Sequence, residues 1–326
     1  MSGFAVAVAH PNIALSKYWG KRPGPEDQGR NVPAVPSLSV TLAGLATTTS
    51  VTFDPRLTAD AVEINGVEKS GEARTRAITL VDRVRDAAGR KTFARIVSKN
   101  DFPTASGLAS SASGFAALAL AAVRAAGLDW PAERVADLAR RSSASAARSV
   151  FGGFVELDGA DARAVAPKTA LDLRVLVCVT TEEKKKVSST DGMGVTSRES
   201  PYYPAWLEEA PRIHRALRGA LLAGDFERVG ALAEKSALAM HASAMAAGVV
   251  YVSGATLAAL AEVRALRAAG LAAYATIDAG PHLKCLVRAP DAAAAKARLA
   301  EVPGVLRILE AAPGDGARVI EGEGRA

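Results

Sequence analysis

Four stretches of the chain carry residue types suited to chemistry on an anionic ligand. The stretch "DFPTASGLASSASG" at 101–114 sets Pro103, Gly107 and the hydroxyls of Ser106, Ser110 and Ser111 directly ahead of an apolar run. A helix N-terminus there would offer unpaired N–H groups and a positive dipole end, both of which attract phosphate. Gly107 lets backbone approach closely, and the serines add donors or Mg²⁺ ligands. No Gly-Lys-Ser/Thr closes the loop, so it is not a Walker loop. A serine-capped helix packed closely on a sheet reads the same way from spacing alone.

Asp278 stands at a strand end in "TIDAGP", where Gly280 and Pro281 force a turn. A carboxylate there is either poised at a cleft or occupied in an Asx-turn. Arg148 lies between an Ala pair and an apolar run leading to Gly152 and Gly153. Its planar fork suits a ligand carboxylate, or equally an internal Asp or Glu. "NIALSKYWGKR" at 12–22 gathers Asn12, Lys17, Tyr18 and Lys21, donors suited to phosphate, with Trp19 as a packing anchor. Taken alone, its two lysines favour a solvated loop.

The elements that must position these residues follow from periodicity. Runs at 4–9, 37–43 and 46–53 predict strands, Asn65-Gly66 predicts a hairpin, and 73–84 predicts a helix stopped by Gly89. A strand at 92–99 precedes the serine-rich stretch, and "FAALALAAVRAAG" after it predicts a helix buried on most sides. Residues 173–180 read as a central strand. Helices near 205–222, 226–246 and 255–269 and a strand pair at 271–277 and 283–288 follow. This mixture predicts an α+β architecture with mostly antiparallel sheets. A boundary near 165–172 predicts two intimately packed subdomains, 1–172 and 173–326.

Composition narrows the classes. Of 326 residues 49% are hydrophobic and 23% charged, which indicates a globular chain. The net charge of +6 permits a nucleic-acid surface or an anionic small-molecule substrate. The basic residues are dispersed and aromatics are only 5%, so a small anionic ligand is expected, with no nucleic acid. Cys178 and Cys285 sit in apolar strand-like segments and read as buried thiols. No signal peptide or convincing membrane span is legible, so a cytoplasmic location is expected. His10, His214, His241 and His282 are too scattered to suggest a metal cluster; His241 reads as structural, and His214, on a surface-type helix, as inert.

The pattern P-x-x-x-G-L-x-S-S-A at 103–112 resembles the ATP loop of the GHMP kinase superfamily. "NIALSKYWGKR", "SLSVTL", "RRSSASAARSVFGGFVE", "KKVSSTDGM", "MHA" and "IDAGPHLK" occur in the order seen in mevalonate diphosphate decarboxylases. The resemblance runs across nearly the whole chain, and "KYWGKR" and "DAGP" are its most specific parts. It implies a GHMP kinase-like fold with an ATP-binding N-terminal subdomain, and a homodimer. The implied enzyme is a carboxy-lyase of isoprenoid biosynthesis. It converts mevalonate 5-diphosphate, with ATP and Mg²⁺, to isopentenyl diphosphate, CO₂, ADP and phosphate.

By resemblance Asp278 faces the substrate C3 hydroxyl, Arg148 holds the departing carboxylate, Lys17 supplies charge beside Asp278, and Asn12 lies near the reacting centre. Tyr18, Lys21, Ser143, Ser145 and Thr190 would bind the substrate. Pro103, Ser106, Gly107, Leu108, Ser110 and Ser111 would bind ATP, with Ser111 nearest the transferring phosphoryl group and a possible Mg²⁺ contact. The pattern departs from the family at Val35, where Asn is expected, and at Ser142 and Ala144, where Gly is usual. These departures leave mevalonate 5-phosphate open as the substrate. A 3-hydroxyl kinase without decarboxylation and a non-catalytic metabolite-binding protein on the same scaffold are the competing hypotheses.

Overall fold

The computed structural model describes residues 3–24, 30–102, 110–183 and 186–322. In chain order the elements begin with β1 (Gly3–Ala9), β2 (Asn12–Ser16), β3 (Ser37–Ala43), β4 (Thr47–Phe53), β5 (Ala61–Ile64) and β6 (Val67–Glu68). Then come α1 (Gly71–Ala87), β7 (Ala94–Asn100), α2 (Ser110–Ala125) and α3 (Ala132–Ser142), a 3₁₀ turn at Ala144–Val150, β8 (Phe154–Asp158) and β9 (Asp161–Ala166). The second half holds β10 (Leu173–Val179), α4 (Ser189–Glu199), α5 (Tyr203–Leu222), α6 (Phe226–Ala246) and α7 (Gly254–Ala268). It ends with β11 (Ala273–Ile277), β12 (Leu283–Arg288), α8 (Ala292–Ala300), β13 (Arg307–Pro313) and β14 (Arg318–Gly322).

Two sheets organise the chain. One has the order β14-β1-β4-β7-β5-β6; the other runs β11-β12-β10-β13-β3-β8-β9, with β2 paired to β3. All pairings between named strands are antiparallel except β5 with β7. The expected α+β class is observed. The hairpin at Asn65-Gly66 forms because both residues adopt positive φ, 54° and 77°.

The Ala-rich α2 packs on β1 and β4, and its small side chains bring helix and sheet backbones close. Its core is shared with Leu80, Val81 and Val84 of α1. In the other half α5 and α6 cover one face of the long sheet, with Leu217, Leu221 and Val229 against Val175 and Val177. Helices α7 and α8 cover Cys178, Leu283 and Cys285, so both thiols are buried and free of any disulfide.

The last two strands tie the halves together. β14 pairs with β1, and β13 joins β10 to β3, so residues beyond 306 complete sheets begun in the first half. Gly152 and Gly153 make this crossing possible. Gly153 has φ +69°, and a Cβ there would lie 2.5 Å from the Ala166 carbonyl oxygen. A Cβ on Gly152 would lie 2.6 Å from the Gly316 nitrogen. A one-carbon side chain at either position would push its backbone neighbours away.

One expectation is corrected. His214 does not lie on an exposed face of α5: it is 4% exposed, and its ring is held between Ser16 and Glu156. It lies among the buried residues of α5 with Ile213 and Leu217, where Ser16 of β2 and Glu156 of β8 take its two ring nitrogens.

Candidate active site

β2 is the element from which the site is built. Its pairing with β3 slips between Ala14 and Ser16, a bulge that bends the strand and frees the Ala14 carbonyl from the ladder. That carbonyl accepts hydrogen bonds from Lys17 Nζ at 2.8 Å and Thr276 Oγ1 at 3.3 Å. The bulge thus turns Lys17 inward, where its stem is buried.

Asp278 follows β11 and points to the same place. Its Oδ1 accepts from Lys17 Nζ at 2.6 Å, and Lys284 Nζ of β12 lies 3.2 Å from Oδ2. Burial alone would push the pKa of this carboxyl up, but the two ammonium groups outweigh it and hold Asp278 well below the usual carboxylate range. Lys17 feels the same pair of effects: burial pushes it down to about 8, with Asp278 offsetting part of the loss.

Arg148 comes from the 3₁₀ turn after α3. The sequence left open whether an internal acid would take it. The structure gives it neutral hydrogen-bond partners: Nε donates to Asn12 Oδ1 at 3.2 Å and Nη1 to Ser37 Oγ at 2.7 Å. Among the described residues no Asp or Glu lies within ion-pair distance of it, though the charge of Asp278 reaches it. Burial pushes its guanidinium down to about 10, with Asp278 and Tyr18 offsetting part of that. Asn12 is pinned in turn, donating from Nδ2 to the Ser145 carbonyl at 2.9 Å and to Ser149 Oγ at 2.8 Å. A buried cation with only neutral partners is costly unless an anion joins it.

The remaining candidates fall around this centre. Ser143 stands at the N-terminus of the 3₁₀ turn, and its Oγ lies 3.3 Å from that of Ser145. Tyr18 packs near Arg148 and Arg140; its buried hydroxyl has no hydrogen-bond partner among the described residues, and burial pushes its pKa up. Lys21 donates to Asn31 Oδ1 at 2.8 Å, while Asn31 anchors to the Arg140 and Arg141 carbonyls. Burial and the nearby Arg76 push Lys21 down. Ser110 and Ser111 begin α2, which has no acidic residue in its first turn. Pro103, Ser106, Gly107 and Leu108 lie outside the described residues.

Thr190 lies in the first turn of α4. That helix abuts the segment after Lys17 at Gly192, where a Cβ would lie 3.1 Å from Trp19 Cη2 and 2.2 Å from Tyr251 Oη. Trp19 is buried with Val35, Trp206 and Met240, so Val35 serves an apolar cluster. Ala144 likewise joins the core under α2.

Sequence reasoning missed Lys284, Ser37 and Ser149. A lysine inside the otherwise apolar run "LKCLV" was the available signal for Lys284; nothing local marks the two serines. Among the described residues no three His, Cys, Asp or Glu side chains come together to hold a metal. Lys17, Lys284 and Arg148 offer Mg²⁺ no lone pair; oxygen donors of the kind it takes are the hydroxyls of Ser110 and Ser111 at the start of α2, which ligand phosphates would complete.

Residues 9–166 match the family model described as diphosphomevalonate decarboxylase-like N-terminal domain. Residues 175–304 match the mevalonate 5-diphosphate decarboxylase C-terminal domain. Among curated relatives, a phosphomevalonate decarboxylase of Haloferax volcanii is 38% identical over 271 residues, covering 81% of each chain. Among solved structures, mevalonate diphosphate decarboxylase from Staphylococcus aureus superposes with TM-score 0.91 at 34% identity, covering 98% of this chain and 99% of that one. A complex described as MDDEF with MVAPP, AMPPCP and magnesium superposes with TM-score 0.90 at 36% identity, covering 98% of this chain and all of the other.

Proposed function

The chain belongs to the mevalonate diphosphate decarboxylase family, and from that premise we propose that its buried cationic centre decarboxylates mevalonate 5-diphosphate at the expense of ATP. The observation that carries this reading is Arg148, a fully buried guanidinium with neutral partners, in the field of a carboxylate that two lysines keep ionised. An anionic ligand with a hydroxyl near its carboxylate satisfies both groups together.

Asp278 accepts the hydrogen bond of the substrate's C3 hydroxyl and aligns the oxygen with the γ-phosphorus of ATP. A carboxylate held so far below its usual range is a weak base, so it orients the hydroxyl first. It takes the proton only as the O–P bond forms and the oxygen becomes acidic. ADP then leaves with the electrons of the broken P–O bond. Loss of phosphate from C3 takes the C–O electron pair, and the electrons of the breaking C–CO₂⁻ bond become the new alkene. Arg148 fixes the carboxylate in line for that departure, its planar fork matched to two oxygens. Lys17 stabilises charge on the transferring phosphoryl group.

Lys21, Tyr18, Ser143 and Ser145 bind the substrate's distal phosphates, and Thr190 closes the same region. The first turn of α2, with Ser110 and Ser111, receives the nucleotide phosphates together with Pro103, Ser106, Gly107 and Leu108. Ser111 would hold Mg²⁺ with the phosphates, and the ion would neutralise their charge. The homodimer and the cytoplasmic location are part of this proposal, as is the division into subdomains 1–172 and 173–326. No helix among the described residues is long and apolar enough to cross a membrane.

The Haloferax volcanii relative favours a second substrate, mevalonate 5-phosphate, on the same machinery. The test offers both substrates with ATP-Mg²⁺ and follows CO₂ and ADP. Equimolar release of the two from the diphosphate, at a higher kcat/KM than from the monophosphate, is expected. The reverse preference transfers the assignment to the monophosphate, and ADP without CO₂ ends the decarboxylase reading.

A further inference from the structure

Beyond helping to keep Asp278 ionised, Lys284 has no part in the reaction described above, yet it is among the most deeply buried charges of the described residues, 1% exposed. It lies on β12 directly across from Thr276 of β11, in a register that also places Asp278 two residues further along the same face. Its ammonium is 3.2 Å from Asp278 Oδ2, and among the described residues it meets no other acid. Lys17 is different, because it divides its donors between Asp278 Oδ1 and the Ala14 carbonyl. The carboxylate therefore has one ammonium on each oxygen, and the two ammonium groups are held differently.

A fully buried lysine is costly to ionise and is replaceable by an apolar side chain unless its charge is needed. On its own face of the sheet, Leu286 two residues along β12 and Val177 opposite it on β10 are apolar and would meet a methionine at this position. Lys17, for its part, is required twice in the proposed reaction, by Asp278 and by the phosphoryl group in transfer. If Lys17 turns to the phosphoryl group, Oδ1 becomes available to the hydroxyl, and something else must keep Asp278 charged and in place.

We propose that Lys284 is a positioning residue for this reaction: it anchors Oδ2 of Asp278 so that Oδ1 stays aimed at the substrate while Lys17 serves the phosphoryl group. The inference rests on the function proposed above. The groups that face this pair are Lys17 at the end of β2, Arg148 from the 3₁₀ turn, His241 of α6, Cys178 of β10 and His282 of the β11–β12 turn. Each contributes to the local field, but among the described residues only Lys17 and Lys284 form ion pairs with the carboxylate.

The test is Lys284→Met, with Lys284→Gln as companion, each checked for folding by circular dichroism and assayed with mevalonate 5-diphosphate and ATP-Mg²⁺ beside the unsubstituted enzyme. Loss of alignment predicts a fall in kcat of about 100-fold with KM much less affected. Removing one cation makes Asp278 easier to protonate and Lys17 harder to deprotonate, so both limbs of the kcat–pH profile move to higher pH. A merely structural lysine would not shift both limbs in that direction. A folded variant with kcat within twofold and an unmoved profile overturns the proposal. So does failure of both variants to fold, which would make the lysine structural. An unsubstituted enzyme that does not turn over this substrate refutes the functional assignment instead, a result separate from either.

Discussion

Two buried polar clusters lie back to back across the end of β2, and they differ in how their charge is closed. Lys17 faces Asp278, Lys284 and Arg148, while its neighbour Ser16 faces His214 and Glu156. In the second cluster His214 Nε2 donates to Glu156 Oε1 at 2.8 Å, and Ser16 Oγ, 3.0 Å from Nδ1, accepts from the Leu38 N–H. Glu156 also receives Arg163 and lies 3.4 Å from Arg218. Burial pushes His214 down while Glu156 pushes it up; burial prevails, which leaves a neutral ring accepting from Ser16. The resemblance to a serine–histidine–carboxylate triad is geometric only. Each of the three side chains is matched, and Ser16 is 1% exposed. In the first cluster three cations face one carboxylate, which is 25% exposed. Burial and hydrogen bonding are common to both; an uncompensated charge with an opening marks the one suited to a ligand.

The sharpest way to break this contrast is Asp278→Asn. It should lower kcat by about 10³-fold or more while substrate affinity, measured by calorimetry, is retained. Activity near that of the parent enzyme would mean that the charge imbalance was misread. Arg148→Met comes next, with an expected loss of about 10²–10³-fold in kcat/KM; it removes the proposed bidentate grip while also relieving a buried, uncompensated charge. The variant should therefore be no less stable to urea than the parent, which is testable in the same preparation.

A smaller effect is expected from pH. In the proposed reaction Lys17 acts in its protonated form, and burial has brought it to about 8. The rate should fall as pH rises through that value, by about tenfold for each unit beyond it; a flat profile to about pH 10 would remove Lys17 from the mechanism. His241 and His282, both pushed down to about 4 by burial, fold as neutral rings. The unfolded chain takes up their protons from about 6.5 downward, so this contribution to stability is lost between 6.5 and 4. Acid titration by circular dichroism should show the onset in that window.

The smallest effect on chemistry belongs to the closed cluster. His214→Phe should leave kcat within a few-fold of the parent and cost about 1–3 kcal/mol in urea unfolding, the penalty for orphaned partners on Ser16 and Glu156. A drop in kcat as large as that of Arg148→Met would erase the distinction between the two clusters.

Which parts were legible in the sequence follows a physical division. Local chemistry speaks where a residue's own neighbours decide its conformation. Asn65-Gly66 makes its turn whatever surrounds it, and the Ala-rich run of α2 can only be a closely packed helix. Asp278 and Arg148 stood out because a charged group ends an apolar strand or stands beside an apolar run, whereas Lys17 and Asn12 took their roles from the resemblance. The resemblance supplied their grouping. The 3₁₀ turn that carries Arg148 and the strand β14 were not legible, since their partners lie far away in sequence: Asn12 and Ser37 for the first, β1 for the second.

Residue types, their order and their family were thus determined by the sequence alone. Tertiary structure decided which charges are compensated. It set Lys284 on the second oxygen of Asp278, left Arg148 with neutral partners, and closed His214 between Ser16 and Glu156. The reason is that electrostatic energy depends on distance and on exclusion of water. Both are properties of the packed chain, and here they are supplied by segments as far apart in sequence as β2 and the end of β11.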